Sequence, residues 1–521
     1  MRYEAHLRAR AAERPQHTAL VCAGRRVSYA QLADTAERFA SALVAEGFGN
    51  GERCVLFLDN RMETAAAIFG TLRAGGIFSV INPTTKADKL AYVLGDCEAA
   101  VLLTQASLLP VARAALARSP SVRRVVVVDA TDDMAANERG WEAFVAPSPT
   151  LPEAPRGIDI DLAMLVYTSG STGEPKGVMM THRNIGHAAA SITGYLRMAP
   201  DDVVLSVLPL AFDYGLYQLL MCVKLGATLV LEKSFAFPQK ILPLLESERV
   251  TGFPLVPTMA ALIVQLRNFK PGWAASVRFV TNTAAALPPA HIARLRALFP
   301  QARVYSMYGM TESKRCTWLP PEELDRRPDS VGIAIPDTEV WVAGDDGRPL
   351  PPDTVGELVV RGGHVMQGYW RNAEATDRAL RPGRYPWEKV LHTGDLFRMD
   401  AEGFLYFVGR KDDIIKSRGE KVSPKEVENV LYALPGVREA AVVGVPDEVL
   451  GRALKALLVV GGGVELAARD VIAHCAARLE DFMVPRLIEF RDSLPKTGTG
   501  KIRRAALQAE AEGRELPGED A

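Results

Sequence analysis

Apolar residues follow two different periods over about the first 330 residues of the chain. Short runs rich in β-branched and other apolar residues occur at 53–58, 99–103, 122–128, 203–208 and 227–231. Between such runs lie longer segments, such as 29–46 and 86–95, in which apolar residues recur at helical spacing. Strands that alternate with helices in this way predict α/β layers with largely parallel sheets.

The pattern changes after about residue 330, where strands follow one another without long helices between them. Apolar runs at 340–342, 356–361 and 404–408 are separated by turns rich in Gly, Pro and Asp. This arrangement predicts a β-rich subdomain at the end of a large N-terminal domain of stacked α/β subdomains. We place the end of that domain at residue 409, so that it spans residues 1–409.

A small, mobile α+β domain is predicted for residues 410–521. Ser423 is suited to cap a helix that has Pro424 at its first position and Glu426 at its third. A strand at 440–445 and a helix at 468–480 are expected to follow.

Length and composition agree with a globular protein of more than one domain. A chain of 521 residues exceeds the roughly 250–300 residues that one core supports. Hydrophobic residues make up 48% and charged residues 24%, and the net charge of −1 argues against a broad basic face for nucleic acid.

Cysteine spacing and apolar run length suggest a cytoplasmic protein. The six cysteines are scattered, without a CxxC pair or a zinc-ligand spacing, as expected of reduced thiols. The charged N-terminus does not look like a signal peptide, and no apolar run approaches the roughly 20 residues that cross a bilayer. We expect a monomer or a homodimer.

A glycine-rich segment, YTSGSTGEPKG at residues 167–177, follows the apolar run 162–166. Glycines allow backbone N–H groups to approach an anion, hydroxyls add donors, and Lys176 supplies a point charge for phosphate. It is not a Walker loop, because Pro175 stands where the second glycine should be. A plain surface turn is the alternative, but it would not need so many donors around one lysine. The candidate phosphate-binding residues are Thr168, Ser169, Gly170, Ser171, Thr172, Gly173 and Lys176.

This segment resembles the signature of the adenylate-forming superfamily, which includes acyl-CoA synthetases, peptide-synthetase adenylation domains and luciferases. Further motifs of that family appear in order, so that the resemblance covers about residues 20–505. They are YGMTE at 308–312, TGD at 393–395, GRKDD at 409–413, KSRGEKVSP at 416–424 and PKTGTGK at 495–501.

The resemblance implies an ATP-dependent enzyme that forms an acyl-adenylate and then transfers the acyl group to a phosphopantetheine thiol. Its cofactors would be ATP and Mg²⁺, and its acceptor would be coenzyme A or a carrier protein. In that family the glycine-rich loop contacts the ATP β- and γ-phosphates, and the segment like 416–424 lines the tunnel for the thiol.

The resemblance also implies roles for single residues. Tyr308 would stack on adenine beside Gly309, Thr311 would contact the α-phosphate, and Glu312 would bind Mg²⁺, since a hard cation prefers carboxylate and phosphate oxygen. Asp395 would accept hydrogen bonds from both ribose hydroxyls. The remaining expected roles are the ribose contact of Arg410, the hinge at Asp412, and catalysis by Lys501 together with Thr168 and Glu312.

The acyl pocket is expected around the segment LPLAFDY at 208–214. Many fatty-acyl and aryl CoA ligases carry His where this chain has Phe212, whereas amino-acid-activating members carry Phe-Asp. An unpaired carboxylate in a pocket is costly, so Asp213 indicates a cationic or hydroxyl-bearing partner. The alternative is that backbone donors satisfy Asp213.

Two adjacent cations follow Glu312 at positions that line the acyl pocket in the family. Lys314 and Arg315 suggest that at least one of them meets a second carboxylate, for which Arg is well suited. The alternative is that both form salt bridges with acidic residues elsewhere. The full set of expected pocket residues is Asp213, Tyr217, Thr283, Met307, Lys314 and Arg315.

The set of Asp213, Thr283, Lys314 and Arg315 resembles that of ligases activating β-amino or acidic amino acids for macrolactam polyketide pathways. We therefore expect an aspartate-like or β-amino acid, loaded on a free-standing acyl carrier protein and hence connected with antibiotic biosynthesis. The first alternative is an ordinary acyl-CoA synthetase for a medium-chain or aryl acid. The second, an inactive scaffold protein, is disfavoured because the motif residues are intact.

Overall fold

A computed structural model describes residues 1–131, 133–146, 151, 157–169, 175–283, 287, 289–411, 413–417, 420–447, 451–461, 466–479, 481–496 and 501–513. The helices are α1 (Ala5–Glu13), α2 (Tyr29–Ala45), α3 (Met62–Arg73), α4 (Ala87–Asp96), α5 (Leu109–Leu116), α6 (Trp141–Phe144), α7 (His182–Tyr195), α8 (Asp213–Leu225), α9 (Pro238–Ser247), α10 (Pro257–Val264), α11 (Pro289–Leu298), α12 (Ala373–Ala379), α13 (Pro424–Tyr432), α14 (Ala468–Ala476) and α15 (Arg504–Ala511).

Strands before residue 335 belong to two large sheets. They are β1 (Thr18–Cys22), β2 (Arg25–Ser28), β3 (Arg53–Phe57), β4 (Ile77–Ile81), β5 (Ala99–Gln105), β6 (Arg124–Val128), β7 (Glu138–Gly140), β8 (Leu162–Ser169), β9 (Pro175–Thr181), β10 (Val203–Ser206), β11 (Thr228–Leu231), β12 (Gly252–Leu255), β13 (Phe279–Asn282), β14 (Arg303–Tyr308), β15 (Thr317–Trp318) and β16 (Ile333–Ala334).

The two sheets are parallel over most of their width, as predicted. One has the strand order β16-β15-β14-β13-β12-β10-β11-β1-β2 and the other has the order β7-β6-β5-β3-β4-β8-β9. Antiparallel pairs occur at the ends of the sheets, including the β8–β9 hairpin of the glycine-rich segment. Every residue of β5 is buried, as expected of a parallel strand covered on both faces.

Helix α8 is buried along almost its whole length, and its first residue is Asp213. It ends at Gly226, which adopts the left-handed conformation (φ +86°) typical of helix C-termini. Gly215 allows the helix to approach the preceding turn, since a Cβ there would lie 2.4 Å from the carbonyl oxygen of Pro209. This packing directs the first turn of α8 toward the site described below.

The remaining strands are β17 (Thr338–Ala343), β18 (Val355–Gly362), β19 (Leu380–Pro382), β20 (Lys389–Met399), β21 (Leu405–Arg410), β22 (Ile415–Ser417), β23 (Glu420–Val422), β24 (Val437–Asp447), β25 (Gly451–Val460) and β26 (Leu487–Phe490). Strands β17–β21 form the predicted β-rich sheet, with antiparallel pairing throughout. Strands β24–β26 form a separate sheet with α13, α14 and α15 packed around it.

The helix after Ser423 begins as predicted, because the Ser423 hydroxyl accepts a hydrogen bond from the Glu426 N–H. Helix α14, however, ends at Ala476, and the expectation that it reaches residue 480 is wrong. The N–H groups of Arg478 and Leu479 both bond to the Cys475 carbonyl, so the chain tightens into a turn. Leu479 still packs on the core, which explains why apolar residues continue at helical spacing beyond the end of α14. Within the described part of the chain, no helix is long and apolar enough to cross a membrane.

Candidate active site

Segments that are far apart in sequence meet at one cleft. The β8–β9 hairpin, the turn between β14 and β15, the middle of β20, the end of β21 and the start of α8 contribute polar side chains to it. The segment before α15 contributes Lys501, whose pKa is affected by the charges of Asp213, Glu312 and Asp395. The charges of these three carboxylates, which come from different elements, all affect Lys501, as expected of residues that lie near one another.

Asp395 anchors one side of the cleft. Tyr308 donates a hydrogen bond of 2.6 Å to one carboxylate oxygen, and Arg410 lies 3.6 Å from the other. Arg410 stands opposite Asp395 in the β20–β21 register, which explains why the two meet. Burial raises the pKa of Asp395, while Arg410 and Tyr308 oppose that shift. The Tyr308 ring packs edge-on against Phe397, with centroids 4.8 Å apart.

Glu312 and Lys176 face each other on another side, with Tyr369 between them. The Tyr369 hydroxyl donates to Glu312 Oε1 over 2.8 Å, and Lys176 Nζ lies 5.5 Å from the centroid of the Tyr369 ring. Burial and the Glu312 charge raise the pKa of Tyr369, so its hydroxyl stays protonated and can donate. The sequence analysis missed Tyr369; its only signal was an aromatic pair after Gly368 between predicted strands.

The glycine-rich hairpin is described on both sides of its tip. Across β8 and β9, Thr168 pairs with Lys176, and Ser169 pairs with Pro175. Gly177 permits close packing, because a Cβ there would lie 3.1 Å from the Tyr167 ring. The predicted residues Gly170, Ser171, Thr172 and Gly173, as well as the predicted hinge residue Asp412, lie outside the described residues.

Glu312 supplies a carboxylate near Lys176, which is a candidate phosphate-binding residue. No group of three or more metal-ligating side chains occurs among the described residues. Magnesium is commonly held by one or two carboxylates together with substrate phosphates and water, and Glu312 fits this mode. Thr311 adjoins Glu312 in the same turn, as the motif predicts.

Lys501 stands at the open side of the cleft. The residue keeps contact with solvent, yet the surrounding protein lowers its pKa by desolvation, and Arg410 lowers it further. Asp213, Asp395 and Glu312 act in the opposite direction. Lys501 therefore lies where it can meet an anion that approaches these carboxylates.

The predicted acyl-pocket residues are all buried, and contacts link several of them. Asp213 and Tyr217 lie one turn apart on α8, and Lys314 Nζ lies 5.8 Å from the Tyr217 ring centroid. The Arg315 guanidinium lies 4.5 Å from the ring of Tyr214, which the sequence analysis did not assign to the site. The exposed fractions are 8% for Asp213, 1% for Tyr217, 3% for Thr283, 4% for Met307, 1% for Lys314 and 4% for Arg315.

Met307 differs from the other predicted pocket residues because its side chain contacts a neighbouring tyrosine. The Tyr195 hydroxyl contacts the Met307 sulfur over 2.9 Å. Tyr195 also stacks on Trp318, with ring centroids 4.9 Å apart. Met307 therefore contributes to an aromatic wall beside the pocket.

Among the described residues, four polar atoms of the predicted pocket residues are buried without a hydrogen-bond partner: Tyr217 Oη, Thr283 Oγ1, Lys314 Nζ and Arg315 Nε. A buried polar group without a hydrogen bond costs about 1–3 kcal/mol, so such groups are uncommon in folded proteins. These four atoms could therefore bond to a polar ligand placed beside them.

The alternative that acidic side chains elsewhere pair with the two cations is not supported. Among the described residues, Arg315 bonds through one terminal nitrogen to the Lys314 carbonyl oxygen over 3.0 Å, and neither side chain forms a salt bridge. Burial lowers the pKa of Lys314, while the charges of Asp213 and Glu312 oppose that shift.

The turn after β14 places Lys314 and Arg315 in the pocket through an unusual backbone. Lys314 adopts a left-handed conformation with φ +62°, which is rare for a residue with a side chain. Its N–H bonds to the Met310 carbonyl, and its own carbonyl lies against Gly309, where a Cβ would be 1.9 Å away. Glycine at 309 is therefore a steric requirement of this turn.

Comparison with known proteins gives matches over most of the chain. The sequence profile described as "AMP-binding enzyme" matches residues 7–370, and that described as "AMP-binding enzyme C-terminal domain" matches residues 426–501. A feruloyl-CoA synthase of Amycolatopsis sp. is 34% identical over 502 residues, which cover 96% of this chain and 97% of that protein. An indoleacetate–CoA ligase of Aromatoleum aromaticum is 31% identical over 507 residues, covering 94% of each.

Solved structures agree with this fold. The crystal structure of an anthranilate CoA ligase in complex with anthranoyl-AMP matches with a TM-score of 0.90 and 27% identity, covering 98% of this chain and 97% of that one. The similarity therefore includes both the large N-terminal part and the smaller C-terminal part.

The substitution Gly309→Ala tests the packing of the turn after β14, in which Gly309 lies against the Lys314 carbonyl. The added methyl group would meet the Lys314 carbonyl at 1.9 Å, so the backbone must move, and we expect a loss of about 1–3 kcal/mol in the free energy of unfolding. Urea denaturation followed by tryptophan fluorescence measures it. Gly186→Ala is the matched control, because nothing lies within 4 Å of its added methyl group. Equal stability of the two variants would contradict the steric account.

Proposed function

The chain belongs to the family of AMP-binding enzymes, and from that membership we propose that it activates a small polar carboxylic acid as an acyl-adenylate for transfer to a phosphopantetheine thiol. ATP-dependent acid–CoA ligation through an adenylate is the chemistry of this family. The observation that carries the proposal is geometric: Tyr308 and Arg410 hold the Asp395 carboxylate, and Tyr369 lies between Glu312 and Lys176.

In the first half-reaction the acid carboxylate attacks the α-phosphorus of ATP, and pyrophosphate leaves. Both reactants are anionic, so catalysis depends mainly on positioning and on neutralising charge. Lys501 would bridge the carboxylate and the α-phosphate, with Thr168 and Thr311 as hydroxyl donors nearby. Glu312 would hold a magnesium ion, which neutralises phosphate charge when bound.

The Asp395 side of the cleft is suited to the nucleoside. With Asp395 already bonded to Tyr308 and close to Arg410, its carboxylate is held in one orientation. A fixed carboxylate can accept from two adjacent ribose hydroxyls at little further entropic cost. The Tyr308 ring would then support the adenine, and Lys176 would meet the terminal phosphates.

The second half-reaction requires the thiol to reach the adenylate. We propose that residues 410–521 form a domain that rotates about Asp412, withdrawing Lys501 and bringing the segment 416–424 toward the cleft. The change of sheet between β21 and β22 supports a boundary here, because the strands on its two sides belong to different sheets. Profile matches that end at residue 370 and resume at residue 426 are compatible with it.

The acid is proposed to be aspartate-like or a β-amino acid. Asp213 would pair with its ammonium group, and Lys314 or Arg315 with a second carboxylate. The four unpartnered buried atoms support this assignment, because a charged acid would supply partners to them. A charge-assisted hydrogen bond is worth more than a neutral one, which favours recognition through Arg315.

A second candidate is an acyl-CoA synthetase for a medium-chain or aryl acid. The similarity to a feruloyl-CoA synthase, an indoleacetate–CoA ligase and an anthranilate CoA ligase favours it. An acid without polar groups at its far end would, however, leave Lys314 Nζ and Arg315 Nε without hydrogen-bond partners among the described residues. We therefore rank it second for the acid, although the same similarity favours coenzyme A as the acceptor.

Lys501→Ala should lower the rate of acid-dependent ATP–pyrophosphate exchange at least about 100-fold, in line with the loss of a preorganised charge. The control is Lys455→Ala, which removes a lysine of the C-terminal sheet that pairs with Glu489. Exchange by Lys455→Ala should remain near that of the unmodified protein. A near-normal rate for Lys501→Ala would refute the role of this lysine.

A panel of acids tests the polar pocket in the same exchange assay. Aspartate, 3-methylaspartate and β-amino acids should give higher kcat/KM than hexanoate or benzoate. Arg315→Met should then lower kcat/KM for acids with a second carboxylate about 10- to 100-fold, as expected for a lost bond to a charged group. Asp213→Asn should act selectively on acids that carry an ammonium group. Preference of the unmodified protein for hexanoate or benzoate would eliminate the proposal for the acid.

The acceptor can be tested separately from the acid. We propose that a free-standing carrier protein in its phosphopantetheine form accepts the acyl group in trans. Single-turnover consumption of a preformed adenylate should be faster with such a carrier than with equal concentrations of coenzyme A. Thioester formation is followed by mass spectrometry. Rapid thioester formation with coenzyme A and none with carrier proteins would show that coenzyme A is the acceptor and would contradict the proposed carrier protein.

A further inference from the structure

We propose that Tyr369 is a positioning residue that holds the Glu312 carboxylate and the Lys176 ammonium on one face of the bound nucleoside triphosphate. The proposal rests on the proposed function, because it assumes that Glu312 meets a metal ion and Lys176 meets phosphate. It assigns a role to a residue that none of the motifs above contains.

The bond between Tyr369 and Glu312 joins parts of the chain 57 positions apart. Among the described residues, the Tyr369 hydroxyl is the one donor to the Glu312 carboxylate, over 2.8 Å. Glu312 is 9% exposed, so few other donors can reach it. A carboxylate held by one oxygen keeps its second oxygen available for a cation in a defined direction.

The other side of the contact concerns Lys176. Its ammonium lies 5.5 Å from the Tyr369 ring centroid, within the range of a cation–π interaction. A flexible lysine loses side-chain entropy when it becomes ordered. Because the Tyr369 ring already orders Lys176, less side-chain entropy is lost when the lysine binds phosphate. One tyrosine therefore contacts a candidate metal ligand through its hydroxyl and a candidate phosphate ligand through its ring.

The backbone fixes Tyr369 from several directions. The Tyr369 N–H bonds to Thr376 Oγ1 over 2.9 Å, and the next residue, Trp370, donates to the Gly177 carbonyl over 2.7 Å. Tyr369 also pairs with Val178 in an antiparallel bridge, which attaches this segment to strand β9.

The same segment also binds the backbone of the turn that carries Glu312. The Met366 N–H donates to the Glu312 carbonyl over 2.8 Å. Gly368 permits the path, since its φ is +130° and a Cβ would lie 2.7 Å from Thr376. Strand β9 and the Glu312 turn are thus connected through one short segment, and Tyr369 is its side chain facing the site. Such support from residues outside direct ligand contact is what keeps binding groups in a productive geometry.

A purely structural tyrosine is the competing explanation, and the metal dependence of nucleotide binding separates the two. Tyr369→Phe keeps the ring beside Lys176 and removes only the hydroxyl. We expect the dissociation constant of Mn²⁺ in the complex with α,β-methylene-ATP, measured by electron paramagnetic resonance, to rise about 10- to 100-fold, as for a lost bond to a charged group. Binding of the nucleotide without metal, measured by calorimetry, should change less than about threefold on the same grounds.

Tyr369→Leu removes the ring as well and should weaken the binding of metal-free nucleotide beyond the level of Tyr369→Phe. Tyr406→Phe is the matched control: its hydroxyl also donates to a carboxylate, that of Asp400 over 3.2 Å, but outside the cleft. This control should leave both dissociation constants unchanged.

Two outcomes would overturn the role of Tyr369. One is an unchanged Mn²⁺ dissociation constant in Tyr369→Phe. The other is an equal loss of metal-bound and metal-free nucleotide binding together with a lowered melting temperature, which would show a structural role.

The two proposals fail in different ways. The unmodified protein could bind Mn²⁺ and nucleotide but catalyse no ATP–pyrophosphate exchange with any acid of the panel. In that case the proposed function fails, while the role of Tyr369 can stand. If exchange is normal and Tyr369→Phe binds Mn²⁺ normally, only the role of Tyr369 fails.

Discussion

Charge removed from water is the constraint on which this site depends. Asp213, Glu312 and Asp395 are each less than a tenth exposed, and Lys314 and Arg315 are more deeply buried still. An isolated buried charge is unfavourable by several kcal/mol unless an opposite charge or hydrogen bonds compensate it. The protein provides this compensation unevenly. Asp395 has Tyr308 and Arg410, and Glu312 has Tyr369, whereas Asp213, Lys314 and Arg315 have mainly one another's fields at a distance.

That unevenness separates two kinds of recognition. At the proposed nucleotide side, protein groups already hold each carboxylate in place, so ligand binding would add contacts to a set geometry. At the proposed acyl side, buried polar atoms have no hydrogen-bond partner in the described protein, so a polar ligand would supply the missing bonds. The first arrangement suits a cosubstrate common to all reactions of a family. The second makes affinity depend strongly on the chemistry of the acid, which is the basis of specificity by unpaired polar groups.

The fold was largely predictable because its period patterns are local, whereas the contacts between site residues are not. Strands and helices of the parallel sheets followed from apolar spacing, and the Ser423 cap followed from three neighbouring residues. The bond from Tyr369 to Glu312 could not be predicted, since it depends on how strand β9 and the turn after β14 approach each other. The left-handed backbone of Lys314 could not be predicted from the sequence either. It depends on the close approach of the Lys314 carbonyl to Gly309, which only the folded chain shows.

Similarity over the whole chain and local pocket chemistry bear on different parts of the function. Relatives about one-third identical over nearly the whole chain place it in the family of AMP-binding enzymes, which accounts for the proposed type of reaction. A pocket, in contrast, can change its ligand through two or three side chains without any effect on the fold. A hydrophobic acid next to Lys314 and Arg315 would leave their desolvation uncompensated, at a cost of about 1–3 kcal/mol per unpaired group and more for a charged one. That cost opposes the binding of an apolar acid at this position, whatever the names of the relatives. A polar acid is therefore favoured on two premises: the family resemblance places the acid beside Lys314 and Arg315, and the burial of those two cations disfavours an apolar acid there.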